Sequence, residues 1–532
     1  MPAAECLPLS PPYARSRRWS AWAELLVLPA LLPLAAAAVG SAAAAKYAQW
    51  WGTARGWQAM GRTVQLASLA ALIALVLAWA LAAAAVRGSR RLAVPVALVS
   101  CLPMLIPSSA LATAWIVAMG PTGPFGPVLD RLGLSVYSLP AAAVVLALRY
   151  FGIAAAILMH QQLRQLSHWP VERAFRVRLL ARAVHLRLQG SLRATAVAAL
   201  IVMLFCMNDH IIPGMLLIST YGPQVMIQYS ALLDPAGAAA LAMPMAGVCA
   251  VMVVLALTIG RGGWIRTDGL PGECGPARAL PQRIAAGALT AVVLAAALAA
   301  PIVVLARQAG SVSAVGEVLW EARRQLWQTL YCVAVASPIC AAMAAVLARR
   351  WVQCRQAGRL TAVPLVLLNL TVPATLLGIG LIGLTGGRLL TGLRDSSWPL
   401  IAAYVARFMP LATLAFYVAW RNDSDLPNAA ARVHGVGAWT AAVRLAWPRR
   451  RTVLLAVAVL CGVLIVTELE ISILLAAPGA STLGIRLYTL IHTAPDRIVS
   501  ALTLGIAALT LPGIVLLALL LWRTRSRPGG AA

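Results

Sequence analysis

Long apolar stretches, separated by short polar or basic ones, recur along the whole chain. Crossing a bilayer core takes about 20 apolar residues in a helix, because lipid offers the backbone no hydrogen-bond partner and every amide must be satisfied internally. Twelve stretches reach that length: approximately residues 21 to 45, 63 to 86, 92 to 119, 138 to 160, 194 to 217, 238 to 260, 284 to 306, 328 to 348, 360 to 384, 398 to 420, 452 to 477 and 498 to 522. The pattern predicts an all-α, polytopic membrane protein of 12 transmembrane helices. Basic residues in short loops stay cytoplasmic, which sets direction. With the N-terminus inside, 30 of the 43 Lys and Arg residues fall in cytoplasmic segments, 11 in outer loops and two, Arg149 and Arg407, within spans. Both termini are therefore expected in the cytoplasm. The first span follows "SRRWSAW" (Ser16 to Trp22) and contains "VGSAAAA", which together look like an export signal with a cleavage site. Its apolar run of about 25 residues exceeds the roughly 7 to 15 of a signal peptide, so we read it as a retained span.

Internal similarity divides these spans into two sets of six. "IPSSALATAWI" around Pro107 matches "VPATLLGIGLI" around Pro373, an offset of 266. "LRYFG" (Leu148 to Gly152) matches "ARFMP" (Ala406 to Pro410) at 258, and "IQYSALL" (Ile227 to Leu233) matches "RLYTLIH" (Arg486 to His492) at 259. Six spans per unit make the repeats parallel, as in a fused pseudo-dimer. Residues 1–260 form the first half, 284–532 the second, and the Pro- and Gly-rich stretch 261–283 the cytoplasmic linker.

Composition agrees: 61% of residues are hydrophobic, 11% are charged and the mean hydropathy is +0.84, against roughly 25% charged in soluble domains. A net charge of +27 would suit nucleic acid on a soluble fold, but no soluble stretch exceeds about 40 residues, and no nucleic-acid partner is expected. Membrane lipid is the surface those arginines meet. The nine cysteines show no CxxC pair and lie mostly in apolar runs, as small buried hydrophobes do.

In each half the longest basic loop joins the fourth and fifth spans: about 161 to 193 with seven arginines, and about 421 to 451 with six. In the second loop, "LPNAAARVHGVGAWTAAVRLAWPRRR" (Leu426 to Arg451), Asp425 is placed to cap a helix that has Pro427 in its first turn. Gly435 interrupts this helix about two turns on, and a second amphipathic helix is expected to end at Pro448. Two short helices at a Gly turn form a knob suited to a groove on a partner. A basic segment lying against anionic lipid would explain the arginines but not the Gly and Pro spacing.

This loop resembles the cytoplasmic signature EAA-x3-G-x9-I-x-L-P of binding-protein-dependent ABC importer permeases. Ala429, Ala430, Ala431, Gly435, Leu445, Trp447 and Pro448 occupy its positions, with Ala429 in place of the glutamate and Trp447 in place of leucine. The carboxylate that would make one polar contact to the partner is absent at 429, and Asp423 and Asp425 lie about a turn upstream. In the first half, "VERAFRVRLLARAVHLRLQGS" (Val171 to Ser191) keeps Glu172 and Ala174, but Arg178 and Ser191 stand where the Gly and Pro would fall. A shift of two residues, aligning Gln189 with Pro448, fits the later repeat better. The fused form, "RYFG", "RFMP" and "TELEISILLAAPGASTLGIRLYTLIH" (Thr467 to His492) are most similar to the ferric-iron uptake permease group. The resemblance implies a type I permease fold in a bacterial inner membrane. It also implies a cytoplasmic ABC ATPase dimer carrying ATP and Mg, a periplasmic solute-binding protein, and alternating access.

The chain itself carries no ATPase site or cofactor signature. A Walker A loop needs a lysine, and the only lysine, Lys46, follows four alanines. "GIGLIG" (Gly378 to Gly383) lies inside a span, where small residues permit close packing. The six histidines show no metal-binding spacing and no catalytic constellation stands out, so a non-enzymatic transport subunit without a metal is expected. Ionisable residues within spans mark functional or pairing sites. Arg149 and Arg407 are repeat-related, while Asp209, Glu468 and Glu470 lie roughly 24 to 27 Å along their helices from the cytoplasmic end. Either each arginine pairs with an acid of its own half (Arg149 with Asp209, Arg407 with Glu468 or Glu470), or the acids face a pathway for a cationic or metal-bearing solute. Two alternatives share the architecture: a thiamine or small-anion ABC permease, and a 6+6 secondary transporter. The latter's G-x-x-x-D-R-type loop would carry an acid that "RGSRRLA" (Arg87 to Ala93) lacks.

Overall fold

The computed structural model describes residues 54–88, 90–121, 123–167, 178–260, 280–353, 372–385, 391–421, 433–436, 440, 444 and 447–525, and every regular element among them is helical. Helix α1 (Ala54–Gly88) leads into α2 (Arg90–Ser100), a 3₁₀ turn (Leu102–Leu105) and α3 (Ser108–Met119). Then come α4 (Leu139–Ser167), α5 (Arg178–Asn208), the short α6 (Ile211–Met215), α7 (Tyr221–Ser230) and α8 (Pro235–Gly260). Helices α9 (Leu280–Leu294) and α10 (Ala300–Ala309) run on through a π turn at Ala295–Ala299, beside Pro301, which has no amide to donate. After α11 (Val312–Glu321) follow α12 (Arg323–Gln353), α13 (Ala374–Thr385), α14 (Trp398–Arg421), α15 (Trp447–Thr467), α16 (Glu470–Leu475), α17 (Leu483–Thr493) and α18 (Asp496–Arg525).

Among the described residues nine helices are long and apolar enough to cross a membrane, or ten if the bent pair Pro95–Leu105 and Ser108–Met119 is one span. They fall within the second to eighth and tenth to twelfth stretches expected from hydropathy. The first stretch (21 to 45) and the opening residues of the ninth lie outside the described residues, as does most of the linker; α13 is the ninth's second part.

Three spans differ from their expected form. The third is not straight: its two pieces meet at 88°, because Pro107 cannot donate to the preceding turn. The fifth and eleventh end early, at Asn208 and Thr467. Their acids therefore sit in breaks just beyond the long helices, not within them. There Asp209 and Glu468 each accept a backbone N–H three residues on, and so start a new helix: Ile212 to Asp209 Oδ1 at 3.2 Å, Ile471 to Glu468 Oε1 at 3.4 Å.

Two three-helix groups form the core. Helices α1, α4 and α5 pack on one another, and so do α12, α14 and α15. Helices α4 and α14 are central, with 78% and 61% of their apolar windows buried, against 22% for Gly287–Ala309 and 28% for Asp496–Leu520, whose apolar faces are left for lipid. A matching tie recurs in both groups. Thr63 Oγ1 bonds back to Ala59 O and accepts the Tyr221 N–H at the start of α7, both at 2.8 Å. Thr329 Oγ1 bonds back to Gln325 O at 2.8 Å and accepts the Leu483 N–H at the start of α17 at 2.9 Å. In each case a hydroxyl inside the bundle satisfies an orphan donor of a short helix.

Gly152 lets α4 press directly on the chain at the end of α2. A Cβ there would collide with the backbone carbonyl of Ser100, and backbone cannot rotate away. Substitution Gly152→Ala is expected to destabilise the protein by about 1–3 kcal/mol, read as a lowered melting temperature in detergent; an unchanged melting curve would contradict this packing.

Candidate functional site

The chain just before two prolines creates the first requirement of the site. Among the described residues no backbone N–H reaches the carbonyls of Ile106 and Val372, which precede Pro107 and Pro373, so each needs a donor from elsewhere. The central helices supply it. The Arg149 guanidinium on α4 donates to Ile106 O, and Arg407 Nη1 on α14 donates to Val372 O at 2.9 Å. A guanidinium suits this work because its fan of fixed donors serves several acceptors at once.

Arg149 also has an acid beside it. Its Nε lies 3.4 Å from Asp209 Oδ2 in a pair whose side chains are only 8% and 3% exposed. The same oxygen accepts from Tyr150 Oη at 2.9 Å and Ser108 Oγ at 3.0 Å. Asp209 thus ties α3, α4 and α6 together. Arg407 is different: among the described residues no carboxylate lies within 4.0 Å of its guanidinium, so neither Glu468 nor Glu470 pairs with it. Glu470 instead reaches the N-terminal part of the chain, with Oε1 3.0 Å from His210 Nδ1.

All five predicted intramembrane charges, Arg149, Asp209, Arg407, Glu468 and Glu470, line one cavity of about 110 Å³. Its walls come from α3, α4 and α5 on one side and α14, α15 and α16 on the other, with Leu204, Leu411 and Leu464 as apolar lining. That volume admits several water molecules. Arg407 and Glu468 are half-buried and face this space, whereas Arg149 and Asp209 are almost fully enclosed. Among the described residues no group of three or more His, Cys, Asp or Glu side chains is arranged to hold a metal ion. His210 was not singled out by sequence reasoning; its one signal was its place directly after Asp209.

The loop residues are less completely placed. Ala429, Ala430, Ala431 and Leu445 lie outside the described residues, as do Glu172 and Ala174. Gly435 is exposed, with φ +67, the left-handed conformation that favours glycine. Val433, two residues before it, is 84% exposed. The helix expected before Pro448 lies largely outside the described residues. Pro448 itself sits in the first turn of α15, where the amide it lacks has no intrahelical partner anyway. In the first loop, the backbone from Arg178 runs without interruption into the fifth span.

Fold and site together define an all-helical, multi-pass membrane protein with a charged cavity at its centre. No family model matches the chain, and neither a curated protein nor a solved structure matches it.

Removing Arg149 strands the enclosed Asp209 and an unmet carbonyl, so Arg149→Ala is expected to cost about 3–5 kcal/mol. Arg407→Ala forfeits one charged hydrogen bond, about 1.5–3 kcal/mol. Thermal melts of the two variants should rank in that order; the reverse order would undo the distinction between a guanidinium with an acid beside it and one without among the described residues.

Proposed function

We propose that this chain is the membrane-spanning permease subunit of an ATP-driven importer, built of two parallel six-span halves with both termini in the cytoplasm. Support for the two halves comes from the contacts that recur at the sequence offsets: Arg149 on Ile106 and Arg407 on Val372, Thr63 on Tyr221 and Thr329 on Leu483, Asp209 on Ile212 and Glu468 on Ile471. Support for a transport pathway comes from the cavity between them, where half-buried charges at the middle of a bundle imply water or a polar solute.

The observation that carries the ATP-driven reading is the loop between α14 and α15. A left-handed glycine with a nearly bare valine two residues before it, on a loop between two spans, presents an apolar surface that none of the described residues covers. This loop has the signature spacing of permease segments that dock into a groove on a cytoplasmic ATPase, and we assign it that role. Ala429, Ala430, Ala431, Leu445 and Pro448 belong to the same lever. Glu172 and Ala174 mark its weaker counterpart, where α5 continues as one helix. A periplasmic binding protein delivers the solute, which the resemblance identifies as ferric iron, with thiamine as the alternative.

Co-expression with candidate ATPases tests the proposal. Stable co-purification, and proteoliposome uptake that requires ATP, are the expected results; uptake by the chain alone, driven by an ion gradient, would establish the secondary-transporter reading instead. Substituting Gly435→Val places a branched side chain at a positive φ, a strain of about 1–2 kcal/mol. It should lower ATPase co-purification and uptake several-fold while lowering the melting temperature of the isolated permease by only about 1–3 °C. Uptake assays with labelled ferric iron and labelled thiamine decide the solute.

A further inference from the structure

His210 and Glu470 meet between the two halves, at the edge of the cavity that Glu470 lines. Both stand at helix breaks, His210 between α5 and α6 and Glu470 at the start of α16, and each is 9% exposed. Their contact, Nδ1 to Oε1 at 3.0 Å, is flanked by a second cross-half bond, from Tyr229 Oη on α7 to Leu474 O on α16 at 3.4 Å. The far atoms of the pair, His210 Nε2 and Glu470 Oε2, are buried with no hydrogen-bond partner among the described residues.

The number of bonds separates this pair from Arg149 and Asp209. Three hydrogen bonds and an ion pair converge on Asp209, so breaking that cluster would strand several groups at once. One side-chain contact, with the His210 backbone N–H also turned on the Glu470 carboxylate, holds His210 to Glu470, and each partner has an unsatisfied atom that water would meet on separation. Opening here is therefore cheap beside opening at Asp209. The contact does not depend on histidine charge either, because an Nδ1–H donates from the neutral tautomer as well as from the imidazolium.

Position gives the contact its consequence. With the N-terminus inside, α5 and α15 run outward, and their breaks lie on the outer side of the cavity. Leu204 and Leu464, which line the cavity, precede those breaks by about one turn. We propose that His210 and Glu470 form the outer latch of the pathway, closing the cavity in this conformation and parting when α16 moves away from α6. The latch rests on the reading of the chain as a transport subunit, but not on the identity of its energy source.

The test needs no ATPase. In a cysteine-free background carrying Leu411→Cys on the cavity wall, a membrane-impermeant maleimide is added to the outer side of oriented vesicles and the labelling rate is measured. Replacing His210→Phe, which keeps a ring and removes both nitrogens, should raise that rate by about tenfold. Glu470→Gln keeps the shape, leaves no buried charge and should raise it by a smaller factor. The exchanged double variant His210→Glu with Glu470→His should return labelling to the parental rate. Parental labelling in the folded single variants, or an exchange that leaves the rate high, would overturn the latch. Neither result would touch the ATPase reading, which stands or falls on co-purification.

Discussion

A bent helix inside a bilayer leaves a backbone carbonyl with nothing to bond, and the architecture around the cavity follows from how that carbonyl is satisfied. Ile106 and Val372 precede the prolines, and a guanidinium from a neighbouring span reaches each of them. To do so the arginine must sit on a helix that passes the bend in the middle of the bundle, and α4 and α14 are the most buried spans described. A cation in that position in turn calls for carboxylates. They are found where the fifth and eleventh spans break, and there they also start the next helix. Bends, central arginines and break-point acids are thus one solution to one solvation problem, and the cavity is the space these groups enclose.

The two copies of this solution are not equivalent. In the first, Asp209 accepts three hydrogen bonds and pairs with Arg149, so the unit is closed upon itself. In the second, Glu468 accepts one long bond from Ile471 among the described residues, and Arg407 faces the cavity with no described carboxylate within 4.0 Å of its guanidinium. The contact between the halves uses residues with no counterpart in the other copy. At an offset of 259, His210 corresponds to Leu469, and Glu470 to Ile211. On the proposed reading, the half with Asp209 is the more tightly tied frame and the other carries groups with fewer ties among the described residues, the asymmetry a two-state element needs.

Hydropathy was enough to locate ten of the spans that the structure describes in whole or in part, because a 20-residue apolar run has few alternatives to a membrane helix. The five charged residues of the cavity were legible for a related reason: an ionisable group inside an apolar run stands out. What the sequence left hidden was the breaks. Asp209 and Glu468 interrupt their helices through a carboxylate accepting a local N–H, and neighbouring leucines and isoleucines keep the run apolar across the interruption, so the runs were read through to 217 and 477. The 88° bend at Pro107 was hidden similarly, since a proline within a span is compatible with a straight helix or a sharp turn. Partner choice was the least legible feature. Glu470 lies 63 residues after Arg407 and 260 after His210, and nothing in local spacing says that it will cross to the histidine.

Helix α15 connects the two regions to which a role is assigned here. It starts at Trp447, directly after the loop that contains Gly435, and ends at Thr467, directly before Glu468 and Glu470. Twenty-one residues give a rod of about 30 Å, the thickness of the hydrocarbon core. Its one proline, Pro448, is in the first turn, where it does not weaken the rod. A rod packed along its length against α12 and α18 moves as a unit, so a displacement imposed on the loop arrives at the break with little loss. The break then converts that displacement into the separation of two side chains held by one contact. On the proposed reading, the force applied by a cytoplasmic partner and the opening of the cavity on the far side are coupled through this single helix, by a continuous physical element with a two-state contact at its end.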